Sequence, residues 1–523
     1  MADTKREIER KYESDDSGLP DLTGVAGVAA VIDKGVAQLD ATYYDTVDER
    51  LAASSVTLRR RTGGSDAGWH LKFPVAPGVR DEIQAPLSDT LPRTLAGLVR
   101  SRVRDAELVP VVRLRSDRDV RDLVDVDGRL LAEVSVDAVR AERLSGTGGT
   151  GGTGGSGGSA QWTEIEVELA DGTDPAFLDK VEKRLKKAGV RPSSSASKLQ
   201  RGLAETAPKR KRGKKARAAQ APVTVTAGDH VLAYLRAQRD AVVELDPAVR
   251  RDVYDSVHSM RVATRRMRSA FRSYGRVLDR TVTDPIGEEL KWLAGELGVD
   301  RDQEVLTERL TAALDELPRT LLSGPVRTRL RTWSHARSGG SRRRLIGVLD
   351  GKRYLQLLET LDVLLTDPPL LQAAGGKPEK VIGKAVRKDF SAVSGLVEQA
   401  LVLGPGHDRD LALHEARKKA KRARYSAESA VPALGGPAAG LVKSMKSLQN
   451  LLGDHQDSVM TREALRELAR QAHGAGEPSF TYGLLYGREE RCAAEDEAGL
   501  PALWTKIKDG AGFWAYGGPS RPR

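Results

Sequence analysis

Two segments of this 523-residue chain carry one pattern of basic side chains in the same phase. The first runs through His258, Arg261, Arg265, Arg266 and Arg268; the second runs through His414, Arg417, Lys421, Arg422 and Arg424. A Leu-Gly pair followed by an aspartate comes after each copy, Leu297-Gly298 with Asp302 and Leu452-Gly453 with Asp457. Two copies in order predict a duplicated helical unit. At about 100° per residue, His258, Arg261, Arg265, Arg268 and Arg272 fall in one stripe, with Met260, Ala263, Met267, Ala270, Phe271 and Tyr274 nearly opposite. Five arginines and no acid lie between His258 and Arg272. A merely solvated helix interleaves opposite charges one turn apart for mutual support. This one accepts self-repulsion, which predicts a cationic groove for an extended polyanion.

Upstream the apolar period changes. Up to about Leu203 the chain reads as short alternating strands, such as Glu7–Tyr12, Val56–Arg61 and Glu164–Leu169. One helix is predicted from Pro175 to Gly189, capped by Asp174. Residues 145–159 are Gly, Thr and Ser, a flexible insertion within a hairpin. A basic linker over 204–224 marks the boundary. The helical period then holds over 225–507, and a Gly/Pro/Arg-rich tail, 508–523, is expected to fray.

A net charge of +11 points to a polyanionic partner without choosing one. Aromatics are only 4% of the chain, which disfavours single-stranded nucleic acid, since its bases need stacking partners. One cysteine, Cys492, excludes an internal disulfide framework. There is no run of about 18 apolar residues to span a membrane, and the first residues lack an apolar signal core, so a cytoplasmic protein is expected.

On the predicted strands, charged residues of one sign share a face. Glu7 and Glu9 lie with Lys11, Arg59 with Arg61, Glu133 with Ser135 and Asp137, and Glu164 with Glu166 and Glu168. Like charges side by side repel unless something of opposite sign sits between them. Carboxylate clusters suit a hard divalent cation, and guanidinium forks suit phosphoryl oxygens. A closed barrel holding both on its inner wall binds a metal–polyphosphate complex. Arg60 breaks the alternation and is expected to face outward.

The spacing Glu7-x-Glu9-x-Lys11 resembles the signature of the CYTH domain, the triphosphate tunnel metalloenzymes. The resemblance continues in order through Tyr43–Thr46, Leu58–Arg61, His70–Lys72, Arg80–Glu82, Glu133–Asp137, Glu164–Glu168 and Ser197-Lys198. It covers residues 3–203 and implies an eight-stranded antiparallel tunnel. It further implies catalytic roles for Glu7, Glu9, Lys11 and Lys72. Phosphate binding falls to Lys11, Arg59, Arg61, Lys72, Lys198 and one arginine among Arg113, Arg115 and Arg118, with Arg118 preferred and Arg113 next. Mg²⁺ or Mn²⁺ falls to Glu7, Glu9, Glu82, Glu133, Glu164 and Glu166, although alternation alone leaves open which two of Glu164, Glu166 and Glu168 ligate.

The duplicated helical unit is similar to the CHAD domain over 225–507. That family implies two four-helix bundles and an inorganic polyphosphate ligand. By the resemblance, the anion face comprises His258, Arg261, Arg265, Arg266, Arg268, His414, Arg417, Lys421, Arg422 and Arg424, with Arg353 as a further candidate. The two histidines are expected to bond phosphate or support the fold, since the cations beside them repel a metal ion.

The multidomain reading is therefore an α+β tunnel followed by an all-α domain, which together hydrolyse inorganic triphosphate and hold polyphosphate, with possible association with polyphosphate granules. A non-catalytic polyphosphate-binding protein, a class IV adenylyl cyclase and a nucleic-acid binder are the alternatives. No membrane or nucleic-acid partner is expected.

Overall fold

The computed structural model describes residues 4–14, 18–144, 158–207, 225–298, 301–338 and 341–515, in two compact units divided between Ala218 and Ala219. Most of the expected insertion and linker, and the tail beyond 515, lie outside the described residues.

The N-terminal unit is a ring of eight antiparallel strands: β1 (Thr4–Ser14), β2 (Ala30–Asp45), β3 (Thr57–Thr62), β4 (Gly68–Ala76), β5 (Val79–Pro86), β6 (Val109–Val124), β7 (Leu130–Arg143) and β8 (Ser159–Leu169). Their order is β5-β4-β3-β2-β6-β7-β8-β1, and β1 pairs back onto β5 to close the ring. A two-residue β9 (Arg191–Pro192) adds to β1. Closure removes the free edges that a sheet otherwise exposes.

Four helices accompany the ring: α1 (Arg50–Ala53), α2 (Arg93–Val103), α3 (Ala176–Lys187) and α4 (Lys198–Glu205). Helix α3 begins where the Ala176 N–H donates to Asp174 at 2.9 Å, and chain reversal follows at Gly189, whose φ is +88°. Its Phe177, Leu178, Val181 and Leu185 bury against Tyr12, Val134, Ile165 and Val167. Leu95, Leu98 and Val99 of α2 likewise cover Leu58, Leu71 and Ile83. The ring is thus inverted: its apolar residues face outward under helices, and the alternate positions carry charge inward.

At one end that rule changes. Ala41, Val112, Leu114, Val139, Ala141 and Trp162 sit on inward-facing positions yet form an apolar cluster with Leu199 and Leu203 of α4. Helix α4 closes this end of the ring. Ser197 caps it, accepting from the Gln200 N–H at 3.1 Å, which directs Lys198 into the charged interior.

The C-terminal unit is helical: α5 (Ala227–Arg250), α6 (Ser256–Ser273), α7 (Arg280–Glu296), α8 (Arg301–Asp315), α9 (Val326–Ser338), α10 (Ser341–Asp350), α11 (Lys352–Thr366), α12 (Pro378–Val402), α13 (His407–Leu434), α14 (Gly436–Gly474), α15 (Phe480–Gly510) and α16 (Gly512–Ala515). One large core joins α5, α6, α7 and α11 to α12, α13 and α14. A second joins α8 and α9 to the far half of α14 and the near half of α15. Structure extends past the expected end at 507. Ala511 and Trp514 are buried in the large core, and the Trp514 indole donates to the Pro437 carbonyl at 3.3 Å, so apolar burial outweighs the glycines there. No described helix is long and apolar enough to cross a membrane.

The two copies of the repeat are α6 and α13, packed together. Met260, Ala263, Met267, Ala270 and Phe271 are buried as the stripe requires. The Tyr274 hydroxyl bonds Ser429 at 2.5 Å across the pair. The first Leu-Gly motif falls at the end of α7, whereas the second lies inside the continuous α14. Both glycines nonetheless face the matching arginine. A Cβ on Gly298 would stand 2.6 Å from the Arg261 guanidinium, and one on Gly453 would stand 3.5 Å from that of Arg417. Gly298→Ala is therefore expected to push aside the Arg261 guanidinium, the far end of a flexible side chain, at a cost of at most about 1 kcal/mol. Gly453→Ala, an ordinary contact, stays within about 0.5 kcal/mol. Denaturant unfolding of the two variants checks the difference.

Candidate functional site

Inside the ring lies a cavity of about 580 Å³ whose wall is more than half charged. Nine basic residues line it against seven acidic ones. Two more acids, Asp137 and Glu164, bond its deepest lysine.

The deep end, beside α4, is a cage. Lys198 Nζ lies 2.6 Å from Glu166, 2.9 Å from Glu164 and 3.1 Å from Asp137. Arg118 grips Asp137 through both nitrogens, at 2.8 and 2.9 Å, and reaches Glu166 at 2.8 Å. Lys11 joins Glu166 and Glu9. Burial opposes charge on all of them, but mutual pairing wins. Lys11, Lys198 and Arg118 hold Glu166 far below the usual carboxylate range, and Lys198 and Arg118 lower Asp137 as well. The acids in turn raise Lys198 and Arg118.

One side wall is electropositive. Arg59 reaches the Tyr43 hydroxyl at 3.3 Å, and Arg61 pairs with Asp66. Burial, with Arg59 and Arg118 nearby, pushes Arg61 down to about 9. Glu82 is bonded by His70 at 2.9 Å and approached by Lys72 at 3.4 Å; despite burial, these and Arg59 keep it strongly acidic. Burial also lowers His70 to about 4, with help from Arg59 and Arg61, so its imidazole is neutral at pH 7.

Toward the mouth the balance reverses. Glu7, Glu133 and Glu168 gather there, with Lys72 on Glu7 at 2.5 Å and Lys5 on Glu168 at 2.6 Å. Burial raises Glu7 to about 7, and Glu82 and Glu168 add to the rise against Lys72. Glu133 is also raised, by burial and by Glu168. Glu7 and Glu168 each have one lysine as partner, yet burial and the neighbouring acids still raise Glu7 and Glu133. An oxygen-only donor set of that kind fits a hard divalent cation. In the deep cage, by contrast, the Lys198 ammonium already holds the position between Asp137, Glu164 and Glu166.

The cavity wall brings together Glu7, Glu9, Lys11, Arg59, Arg61, Lys72, Glu82, Arg118, Glu133, Glu166 and Lys198. One expectation is corrected. Arg113 does not enter the cavity: strand alternation puts it on the outer face of β6, opposite Leu114 and Arg118, where it bonds Asp40 through two nitrogens, at 2.9 and 2.5 Å. Glu164 lies at the deep end, where the Trp162 indole reaches it at 2.6 Å and Lys198 at 2.9 Å, and it groups there with Asp137 and Glu166, while Glu168 lines the cavity nearer the opening. Arg60 stays outside, bonding the Ser88 carbonyl. Sequence reading gave no role to Asp137 or Arg80. Arg80 bonds the Ala196 carbonyl at 2.9 Å and steadies the approach to Lys198. The strand parity of Asp137 with Glu133 was its only signal.

In the helical unit a groove of about 540 Å³ runs between α6 and α13. Arg265, Arg268, Lys421 and Arg422 line it with Arg272 of the same stripe, joined by Lys291, Lys418 and Lys419, which sequence reading left off the anion face. Its charge is crowded. Burial, Arg417 and Arg265 depress Lys421 to about 8, and burial with Arg272 lowers Arg268. Asp389 anchors Arg422 from behind at 2.8 Å. Arg266 and Arg424 turn instead to Glu428, at 2.9 and 3.4 Å, and flank the Tyr425 ring. Arg261 and Arg417 pack over Gly298 and Gly453. The His414 imidazole bonds Gln456 at 2.6 Å, and His258 is exposed on the first turn of α6. Arg353 does not join this face: it forks onto Glu289 at 2.7 and 3.0 Å and covers the Trp292 ring.

Comparison with known proteins divides the chain in the same way. The model of the CYTH domain matches residues 5–203, and that of the CHAD domain matches residues 233–466. Uncharacterized proteins from two strains of Mycobacterium tuberculosis are 39% identical over 511 residues, covering 95% of this chain and 96% of theirs. Among solved structures, PptA from Streptomyces chartreusis is 20% identical with a TM-score of 0.46, over 54% of this chain and 99% of that one. The CHAD domain from the plant Ricinus communis is 21% identical with a TM-score of 0.42, over 57% and 97%. HpAC1 from Hippeastrum, described as a putative adenylyl cyclase with a dominant triphosphatase activity, is 18% identical with a TM-score of 0.23, over 39% and 98%.

Proposed function

Because the chain belongs to the family of proteins that join a CYTH domain to a CHAD domain, we propose that its tunnel hydrolyses inorganic tripolyphosphate with a divalent metal ion while its helical unit binds inorganic polyphosphate. The observation that carries this reading is the make-up of the cavity wall. Substrate and metal do not have to break its ion pairs; they exchange partners with them. Phosphate oxygens take Lys11, Arg59, Arg61, Lys72, Arg118 and Lys198, and the metal takes carboxylates at the mouth, Glu7 and Glu168 foremost, with Glu9 and Glu133 beside them. The bound cation supplies Lewis-acid charge on the phosphoryl oxygens. The side chains position the chain, exclude bulk water and stabilise the charge that develops on the leaving phosphate.

Among the described lining residues the only aromatic ring is that of Tyr43, whose hydroxyl is bonded by Arg59. A purine base finds little to stack on, which favours an inorganic chain over a nucleotide. The deciding assay is phosphate release by the full chain from tripolyphosphate against ATP, with Mg²⁺ or Mn²⁺. Release from tripolyphosphate at the greater kcat/KM supports the reading. No release with either metal overturns it and leaves a binding protein.

For the helical unit, Lys421 gives a pH test. Its amine, depressed to about 8, is partly neutral in the free groove. The cationic form binds a polyanion, so binding takes up a proton and affinity falls as pH rises through about 8. Polyphosphate affinity is expected to drop several-fold between pH 7 and 9, about a factor of ten at most for one such group. Lys421→Arg should flatten that slope. Binding titrations across this range check it.

A further inference from the structure

We propose that Asp410, His455 and Glu497 form a divalent-metal site of the zinc class that ties α13, α14 and α15 together. One ligand comes from each helix, so none of the three positions is an accident of local spacing. His455 is buried, and its Nε2 lies 3.4 Å from one oxygen of Asp410 and 3.2 Å from one oxygen of Glu497. All three atoms fall within 4.8 Å of one another. Ligands about 2.0–2.2 Å from a zinc ion stand about 3.0–3.6 Å apart, so these separations are those of a coordination shell. Of the two, only the Glu497 contact is also a hydrogen bond. A neutral imidazole has one Nε2 proton, which serves one oxygen only, and the second carboxylate is left facing the first.

The outer oxygens are held as second-shell contacts hold them. Arg409 lies 3.3 Å from the other Glu497 oxygen, and Arg462 lies 3.9 Å from the other Asp410 oxygen. Neither guanidinium Nε finds a hydrogen-bond partner. Asp454 and Asp496 add negative charge nearby. Asp410 and Glu497 are partly exposed, which leaves an entry path. The first repeat copy has Tyr254 where the second has Asp410 and Asp300 where it has His455, so the trio is a property of the second copy alone. It sits one turn before His414, whose partner Gln456 adjoins His455.

The test uses the full chain with Glu7→Gln and Glu9→Gln, which weakens the tunnel's own hold on metal. After chelation, reloading and gel filtration, about one equivalent of Zn²⁺ should remain, and Co²⁺ should give a visible d–d band. Adding His455→Gln or, where that chain fails to fold, Glu497→Gln should remove the band and lower Zn²⁺ affinity about 10-fold or more. If no metal is retained, or if retention survives both substitutions, the trio is an imidazolium ion pair and the proposal falls. Neither result depends on tripolyphosphate turnover.

Discussion

Replacing both Glu7 and Glu9 with glutamine is expected to lower metal-dependent phosphate release from tripolyphosphate by about 10³-fold or more, with the ring still folded. The two amides keep the shape of the mouth but cannot hold a hard cation as carboxylates do. The fold should tolerate them for separate reasons. Glu7 sits near 7 because burial already disfavours its charge, so an uncharged amide loses little. Lys11, the partner of Glu9, keeps Glu166. Phosphate release and thermal unfolding of the same preparation provide the check. Turnover within tenfold of the parent would remove both glutamates from the metal site.

Lys198→Met should produce the other large change, in stability. It strips the common partner from Asp137, Glu164 and Glu166, three acids that are nearly inaccessible to water. Removing one member of a buried ion pair costs about 3–5 kcal/mol. The sign with pH follows from the depressed folded-state pKa of Asp137 and of Glu166. Groups held low in this way stabilise the fold above their unfolded pKa, and that stability is lost as pH falls through the folded value. Without Lys198 the acids titrate higher, so the variant's deficit is greatest near neutrality and narrows toward about pH 4. Mg²⁺ should restore part of it, since a divalent cation can take the vacated position among three carboxylates. Denaturant unfolding at pH 4 and pH 7.5, with and without Mg²⁺, checks each step. A deficit independent of pH would place the cage's stability in packing and not in charge.

Much of this arrangement is legible in the residues. Alternation alone puts Glu7, Glu9 and Lys11 on one face of β1 and Ile8 and Tyr12 on the other. The phase of the repeat places Arg265, Arg268, Lys421 and Arg422 where α6 and α13 meet. What stays hidden depends on partners far along the chain. Parity opposes Arg113 to Arg118 but does not reveal that Asp40 will hold it, and nothing near Glu164 reveals that Trp162 and Lys198 will hold it at the deep end. Arg266 and Arg424 match the repeat as well as their neighbours do, yet Glu428, an ordinary acid in the sequence, turns them away from the groove. Helix α4, with only Leu199 and Leu203 as large apolar residues among eight, gives no sequence sign of its position. Only the closed ring shows that Leu199 and Leu203 fill its end.

That filled end makes the cavity a cul-de-sac. If the proposed substrate is right, a phosphate chain would enter terminus first, and whatever length exceeds the pocket would trail back through the opening by which it came. With threading past the reactive groups closed off at that end, a cut made there would fall a fixed number of phosphates from a free end. The spent fragment and the next chain would then use one doorway in turn.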